Sequence, residues 1–154
     1  MKQVCGALAG LVAACALVPA AAAAGPSVVN GGGRGTVDGV HPFSQFGFNA
    51  TRSAGGSVQG HFNCLMAGSS QFPGFTLMAV RGQVTNAVIG PSSATLDGVG
   101  MFLAPGVMDK SAATFHAVVT PGGPGVGTLR LTLLTPFLFP LPTEHVLNGQ
   151  ISIH

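Results

Sequence analysis

The feature that most constrains this chain is a period of two. In "SQFGFNATR" the residues Phe46, Phe48 and Ala50 fall on one side and Gly47, Asn49 and Thr51 on the other. In "VQGHFNCLMA" the same alternation sets Val58, Gly60, Phe62, Cys64 and Met66 against Gln59, His61, Asn63 and Leu65. Such alternation is the mark of a strand with one buried face. The intervening "RSAGG" (Arg52 to Gly56) reads as the turn of a hairpin. Further runs follow. Ala113, Phe115, Ala117 and Val119 share a face, as do Leu129, Leu131 and Leu133, and as do Ile151 and Ile153. "FTLMAVRGQVTNAVIG" reads as one bent strand or two with a kink at Gly82, and Asp97-Gly98 reads as a turn candidate. "PGGPG" (Pro121 to Gly125) breaks the last part of the chain. No 3.6-residue period persists over the length a helix needs.

Closely spaced strands without helices between them predict an all-β, antiparallel domain of about 8–9 strands, built as a barrel or as a two-sheet sandwich. The pattern does not separate the two. The 24 glycines in 154 residues suit tight turns and close strand packing.

"MKQVCGALAGLVAACALVPAAAAAG" has the layout of a secretory signal peptide: Lys2, an apolar run, then Ala22-Ala23-Ala24 before Gly25. Residues 1–24 are therefore expected to be a leader and 25–154 a single exported domain, secreted and not integral to a membrane once cleaved. Two alternatives stay open, a membrane-anchoring helix and a lipoprotein acylated at Cys15 after "VAAC". Beyond the leader only Cys64 remains, so no internal disulfide can staple the domain.

Charge is sparse and nearly balanced: Arg34, Arg52, Arg81, Lys110 and Arg130 against Asp38, Asp97, Asp109 and Glu144. That excludes the basic footprint of a nucleic-acid binder. A phosphate loop is excluded too, because the glycines of "VVNGGGRGTVDGV" lack both the G-x-G-x-x-G spacing and a Lys-Ser/Thr end. As a calcium repeat its Asp38 stands one position late, and the unit occurs once. The stretch reads as a first strand closed by a turn at Asp38-Gly39. No cofactor is implied.

The five histidines, His41, His61, His116, His145 and His154, show no paired metal-ligand spacing, and His61 and Cys64 point to opposite faces. Cys64 alternates with Phe62 and Met66, as an inert buried thiol would. No G-x-S-x-G elbow occurs, and the serines of "GSSQF" and "PSSA" keep turn-like company. The four acids read as turn or surface residues, so no paired carboxylates for acid–base work are evident. Asn49-Ala50-Thr51 matches a glycosylation acceptor formally and is read as coincidence.

Several segments, in order, resemble small glycine-rich β domains of secreted and surface proteins of bacteria, of the post-choice-of-anchor type: "VVNGGGRG", "FGFNA", "GGSVQGHF", "DGVGMF", "AVVTPGGPGVGTLRLTL" and "LNGQISIH". The resemblance implies export and a β-rich fold, and it implies no reaction and no catalytic residues. The sequence departs from that pattern by lacking acids beside "PGGPG" and by inserting "PFLFPLP".

That insertion carries the first candidate site. Pro136, Pro140 and Pro142 keep it out of a central ladder. Phe137, Leu138, Phe139 and Leu141 then either cap an open end of the domain or form an apolar interaction patch for a cell-envelope component or another protein. A weaker candidate is a polar face or pocket made by His61, His116 and Arg130. The expected role is an exported, non-catalytic binding or structural module. The alternative is a secreted ligand carrier or enzyme using a His-containing barrel mouth.

Overall fold

A computed structural model describes residues 25–67, 77–106 and 108–154. The expected leader at 1–24, with Cys15, lies outside the described residues, as do the serines of "GSSQF". Nine strands form one antiparallel sheet: β1 (Ser27–Thr36), β2 (Ser44–Arg52), β3 (Val58–Ala67), β4 (Leu77–Ile89), β5 (Ala94–Ala104), β6 (Met108–Thr120), β7 (Thr128–Thr135), β8 (Phe139–Pro140) and β9 (Glu144–Ile153). Neighbours follow chain order from β1 to β7. β9 then pairs with both β1 and β7, so the sheet closes on itself. The fold is a barrel, and the sandwich alternative falls away. Among the described residues, closure leaves no long edge strand open to another chain.

The alternation read from sequence is the inward–outward alternation of the barrel. Phe46, Phe48, Ala50, Phe62, Cys64, Met66, Phe115, Leu129, Leu131 and Leu133 are all buried. A small closed barrel must fill its own interior, and this one does so by setting large rings against missing side chains. Phe46 faces Gly33, Phe48 faces Gly31, Phe62 faces Gly82 and Phe115 faces Gly98 in the strand registers. A methyl group on Gly31 would strike the Phe48 ring and Ile151. A second pair of glycines meets backbone to backbone. Gly33 and Gly149 are register partners, each with positive φ, and a Cβ on either would run into the opposite chain.

Closure between β7 and β9 is narrow, with register pairs only at Thr128–His145 and Leu129–Glu144. The "PGGPG" breaker completes it. Gly122 exchanges both backbone hydrogen bonds with Ile151, at 2.9 and 3.0 Å. Gly125 N–H donates to the Val146 carbonyl, and Val146 N–H donates to that of Gly127, each at 2.8 Å. The loop thus acts as a substitute strand beside β9.

Three local expectations are corrected. Asp97-Gly98 is not a turn but the middle of β5, where Gly98 makes room for the Phe115 ring. β4 is one strand whose irregularity falls between Val84 and Asn86, not at Gly82. Glu144 is not a surface residue but is buried.

The ring-against-glycine packing has a direct consequence. Gly31→Ala is expected to cost about 1–3 kcal/mol through overpacking. Phe48→Leu in the same background should recover part of that loss, giving a favourable coupling in a urea-unfolding double-mutant cycle. Additive losses would show that the Phe48 ring does not set the limit at position 31.

Candidate functional site

The barrel presents its chemistry in three places: the interior, the closure seam and the outer wall. The interior is apolar and filled. Phe62 on β3 and Phe115 on β6 have two strands between them around the ring, yet their centroids are 4.9 Å apart, so they meet across the middle. Phe46, Phe48 and Phe62 continue the stack at 6.1 Å spacings. The outer wall mixes polar residues with exposed Val88, Val99, Met101 and Leu134.

One polar cluster is set into this interior, at the seam. Glu144 opens β9, Ser44 opens β2 and Gly35 lies near the end of β1. A side chain on Gly35 would collide with the Glu144 carboxyl and the Ser44 hydroxyl, so its absence makes the cavity they occupy. Ser44 Oγ donates to Glu144 Oε2. Burial pushes the Glu144 carboxyl up to about 7, against the opposing pull of the Ser44 hydrogen bond. Burial also pushes the Cys64 thiol up, and the Glu144 charge adds to it, so Cys64 remains a protonated thiol. The cluster holds a hydroxyl, a thiol and a carboxyl in mutual contact inside the barrel, with the Ser44 hydroxyl donating to the carboxyl.

On the outer wall, Asp97 of β5 lies against His116 of β6, with Oδ1 2.6 Å from Nδ1, and Oδ2 accepts from Asn86 Nδ2 at 3.0 Å. Desolvation pushes the Asp97 carboxyl up, but the His116 and Asn86 hydrogen bonds with the His116 charge outweigh it, leaving the carboxyl below its usual range. Side chains here are about two-fifths exposed, so the pair contributes little to stability. The second His–Asp pair is a turn device. Asp38 Oδ1 accepts the Val40 and His41 amides at 2.8 Å each, and Oδ2 lies 2.7 Å from His41 Nδ1. The His41 side chain, then the two backbone amides, hold the Asp38 carboxyl well below the ordinary range. Among the described residues no group of three or more His, Cys, Asp or Glu is placed to hold a metal ion.

The sequence candidates separate on inspection. Leu141 is buried, its amide donating to the Leu131 carbonyl at 2.9 Å. Phe139 packs against the core and pairs with Leu133 in the short β8. Phe137 sets its ring at 87° to the buried Phe102, with centroids 5.6 Å apart. These three therefore cap the barrel end. Leu138 is 72% exposed and Phe137 keeps 36% of its surface in solvent, as Leu134 on β7 keeps 44%. The expected four-residue patch loses Leu141, which is buried, and Phe139, which packs against the core, and keeps Leu138 with the outer edge of Phe137. His61, His116 and Arg130 all face outward, with β4 and β5 between the two histidines, so they form no common pocket.

Sequence reasoning missed the buried Glu144. The available signal was its phase: Glu144 and Val146 share parity, so an inward Val146 implies an inward Glu144. Comparison with protein-family models, with curated proteins and with solved structures returns no match.

The seam makes stability depend on pH in a direction opposite to that of ordinary salt-bridged acids. Glu144 binds its proton more tightly folded (about 7) than unfolded (4.5), so the folded state holds more protons in between. Stability is then greatest below pH 4.5 as far as this group is concerned, falls as pH rises towards 7, and levels off above it. The loss is at most about 3 kcal/mol, since each tenfold change in proton affinity is worth ~1.4 kcal/mol. Urea unfolding of wild type at pH 5 and pH 8 should show this fall, and Glu144→Gln should flatten it. An equal slope in both proteins would remove Glu144 as its source.

Proposed function

We propose that this chain is an exported bacterial β-barrel module that binds through its outer surface, at the cell surface or in the medium, and performs no catalysis. The observation that carries this reading is the filled interior: Phe62 and Phe115 meet across the barrel, so ligand contact falls to the wall and the loop ends. The N-terminal apolar segment and the resemblance to secreted glycine-rich β domains support export. The alternative carrier or enzyme draws no support from His61, His116 and Arg130, which face outward, His116 and Arg130 on the neighbouring strands β6 and β7 and His61 apart from them on β3.

Cosedimentation of the purified protein with isolated cell envelopes tests the reading. Saturable binding is expected, with no enhancement of the emission of an apolar fluorescent probe by the folded protein. One-to-one binding of such a probe without envelope binding would overturn it in favour of a carrier.

A further inference from the structure

The glycines divide into two kinds. Most of the strand glycines face a ring or an opposing chain and have no room for a side chain. Gly32 and Gly47 differ. Both have ordinary strand φ, a Cβ on Gly47 would meet nothing within 4 Å, and one on Gly32 would meet only the Phe46 carbonyl at 3.8 Å. They are register partners on the outer wall, so together they leave a floor without side chains. A strand-interior glycine costs roughly 0.5–1 kcal/mol against alanine, and packing here offers no return for it.

What surrounds that floor is chemically uniform. Asn63 lies beyond Gly47 and Gln150 lies beyond Gly32 in the same row. Asn30 and Asn49 border it at one end, Arg34 and Gln45 at the other. Four of the chain's five asparagines stand on the wall formed by β9, β1, β2 and β3, and its outward row continues to Gln83 on β4 beside His61. Asn49 is already oriented, because its Oδ1 accepts the His61 amide at 3.0 Å and leaves its Nδ2 donors free to turn outward. Asn63 keeps an Oδ1 that is buried from solvent and without a hydrogen-bond partner, so what it offers a ligand at the surface is its amide nitrogen. At strand spacing the floor is roughly 10 Å across, with the flanking rows roughly 13 Å apart along the strands.

Charge completes the pattern. Arg34 edges the floor and Arg81 pairs in register with Asn63, and neither forms a salt bridge among the described residues. All four acids lie elsewhere: Asp38 in the end loop, Asp97 on β5, Asp109 on β6 and Glu144 inside. Amides supply paired donors and acceptors that match hydroxyl groups, while an arginine fork matches a carboxylate. We propose that the outer wall of β9, β1, β2 and β3 binds an acidic polysaccharide, one stretch of the chain resting on the Gly32–Gly47 floor between the amides, with its carboxylates towards Arg34 and Arg81. This rests on the binding-module reading and names the class of ligand.

The two floor glycines make a test that spares the fold. Gly32→Val with Gly47→Val fills the floor with a β-branched cross-strand pair, which a strand accommodates well. Affinity gel electrophoresis and calorimetry with polygalacturonate, dextran and polyglutamate compare an acidic polysaccharide, a neutral one and a polyanion that is not a sugar. The wild-type protein is expected to bind polygalacturonate above the other two. The double variant should bind it at least roughly tenfold more weakly, with an unchanged or raised Tm. Arg34→Gln should weaken binding several-fold and reduce its salt dependence. Undiminished binding by a folded double variant would overturn the proposal, as would equal binding of polyglutamate or of dextran. If no polysaccharide binds while envelope binding persists, the proposal fails and the module reading stands. Release of shortened polygalacturonate would instead overturn the non-catalytic reading.

Discussion

The barrel depends on the opposition of a phenyl ring and a glycine across neighbouring strands. A closed sheet of this size has an interior wide enough for side chains and little else, and five buried phenylalanines have to share it. Four of them, Phe46, Phe48, Phe62 and Phe115, stand opposite glycines. The glycine gives up volume on one strand so that the ring beside it can lie inward without displacing the next. The fifth, Phe102, faces Val80 and Ser111 instead and marks the end of the packed column, where Phe137 covers it edge-on. The inward glycines of β1 belong to this scheme: Gly31 and Gly33 are ring and backbone contacts, and Gly35 opens the space for Glu144.

The same economy explains the seam. Two register pairs hold β7 to β9, and the rest of β9 leans on the glycine loop at 122–127 and on a bulge against β1 at Arg34/Gly35. The closure is thus made by residues with unusual backbone freedom and by a carboxyl that burial keeps largely protonated below pH 7. A neutral carboxylic acid that accepts from Ser44 is compatible with an apolar surround in a way that its anion is not. The seam is where ionisation and closure are coupled.

Period-two alternation made the fold class legible, since the burial of β2, β3, β6 and β7 follows from parity alone. The parts that were not legible depended on partners remote in sequence. Asp97-Gly98 has the composition of a turn, and only the Phe115 ring and His116, on the next strand, explain both residues mid-strand. Glu144 follows a proline-rich loop, and its burial depends on space left by Gly35, about a hundred residues earlier, and on Ser44. The loop residues Phe137, Phe139 and Leu141 could be read as a cap or as a patch, because local sequence states that prolines prevent a ladder but not which way the side chains turn. Closure itself left no local signature: each strand pair is a hairpin in chain order until β9 reaches β1 and β7.

Separating what a glycine does for packing from what it leaves on the surface changes the meaning of the opening "VVNGGGRG". Within one strand, Gly31, Gly33 and Gly35 point inward and are demanded by rings, backbone and the buried carboxyl. Gly32, between them, points outward and is demanded by none of these. Its partner Gly47 is equally unconstrained. A wall that omits side chains where the fold would accept them, and rims the gap with amides and a free guanidinium, has the form of a surface shaped for contact. The interior accounts for three of the four glycines in this stretch, and Gly32 is the one that packing within the barrel leaves unexplained.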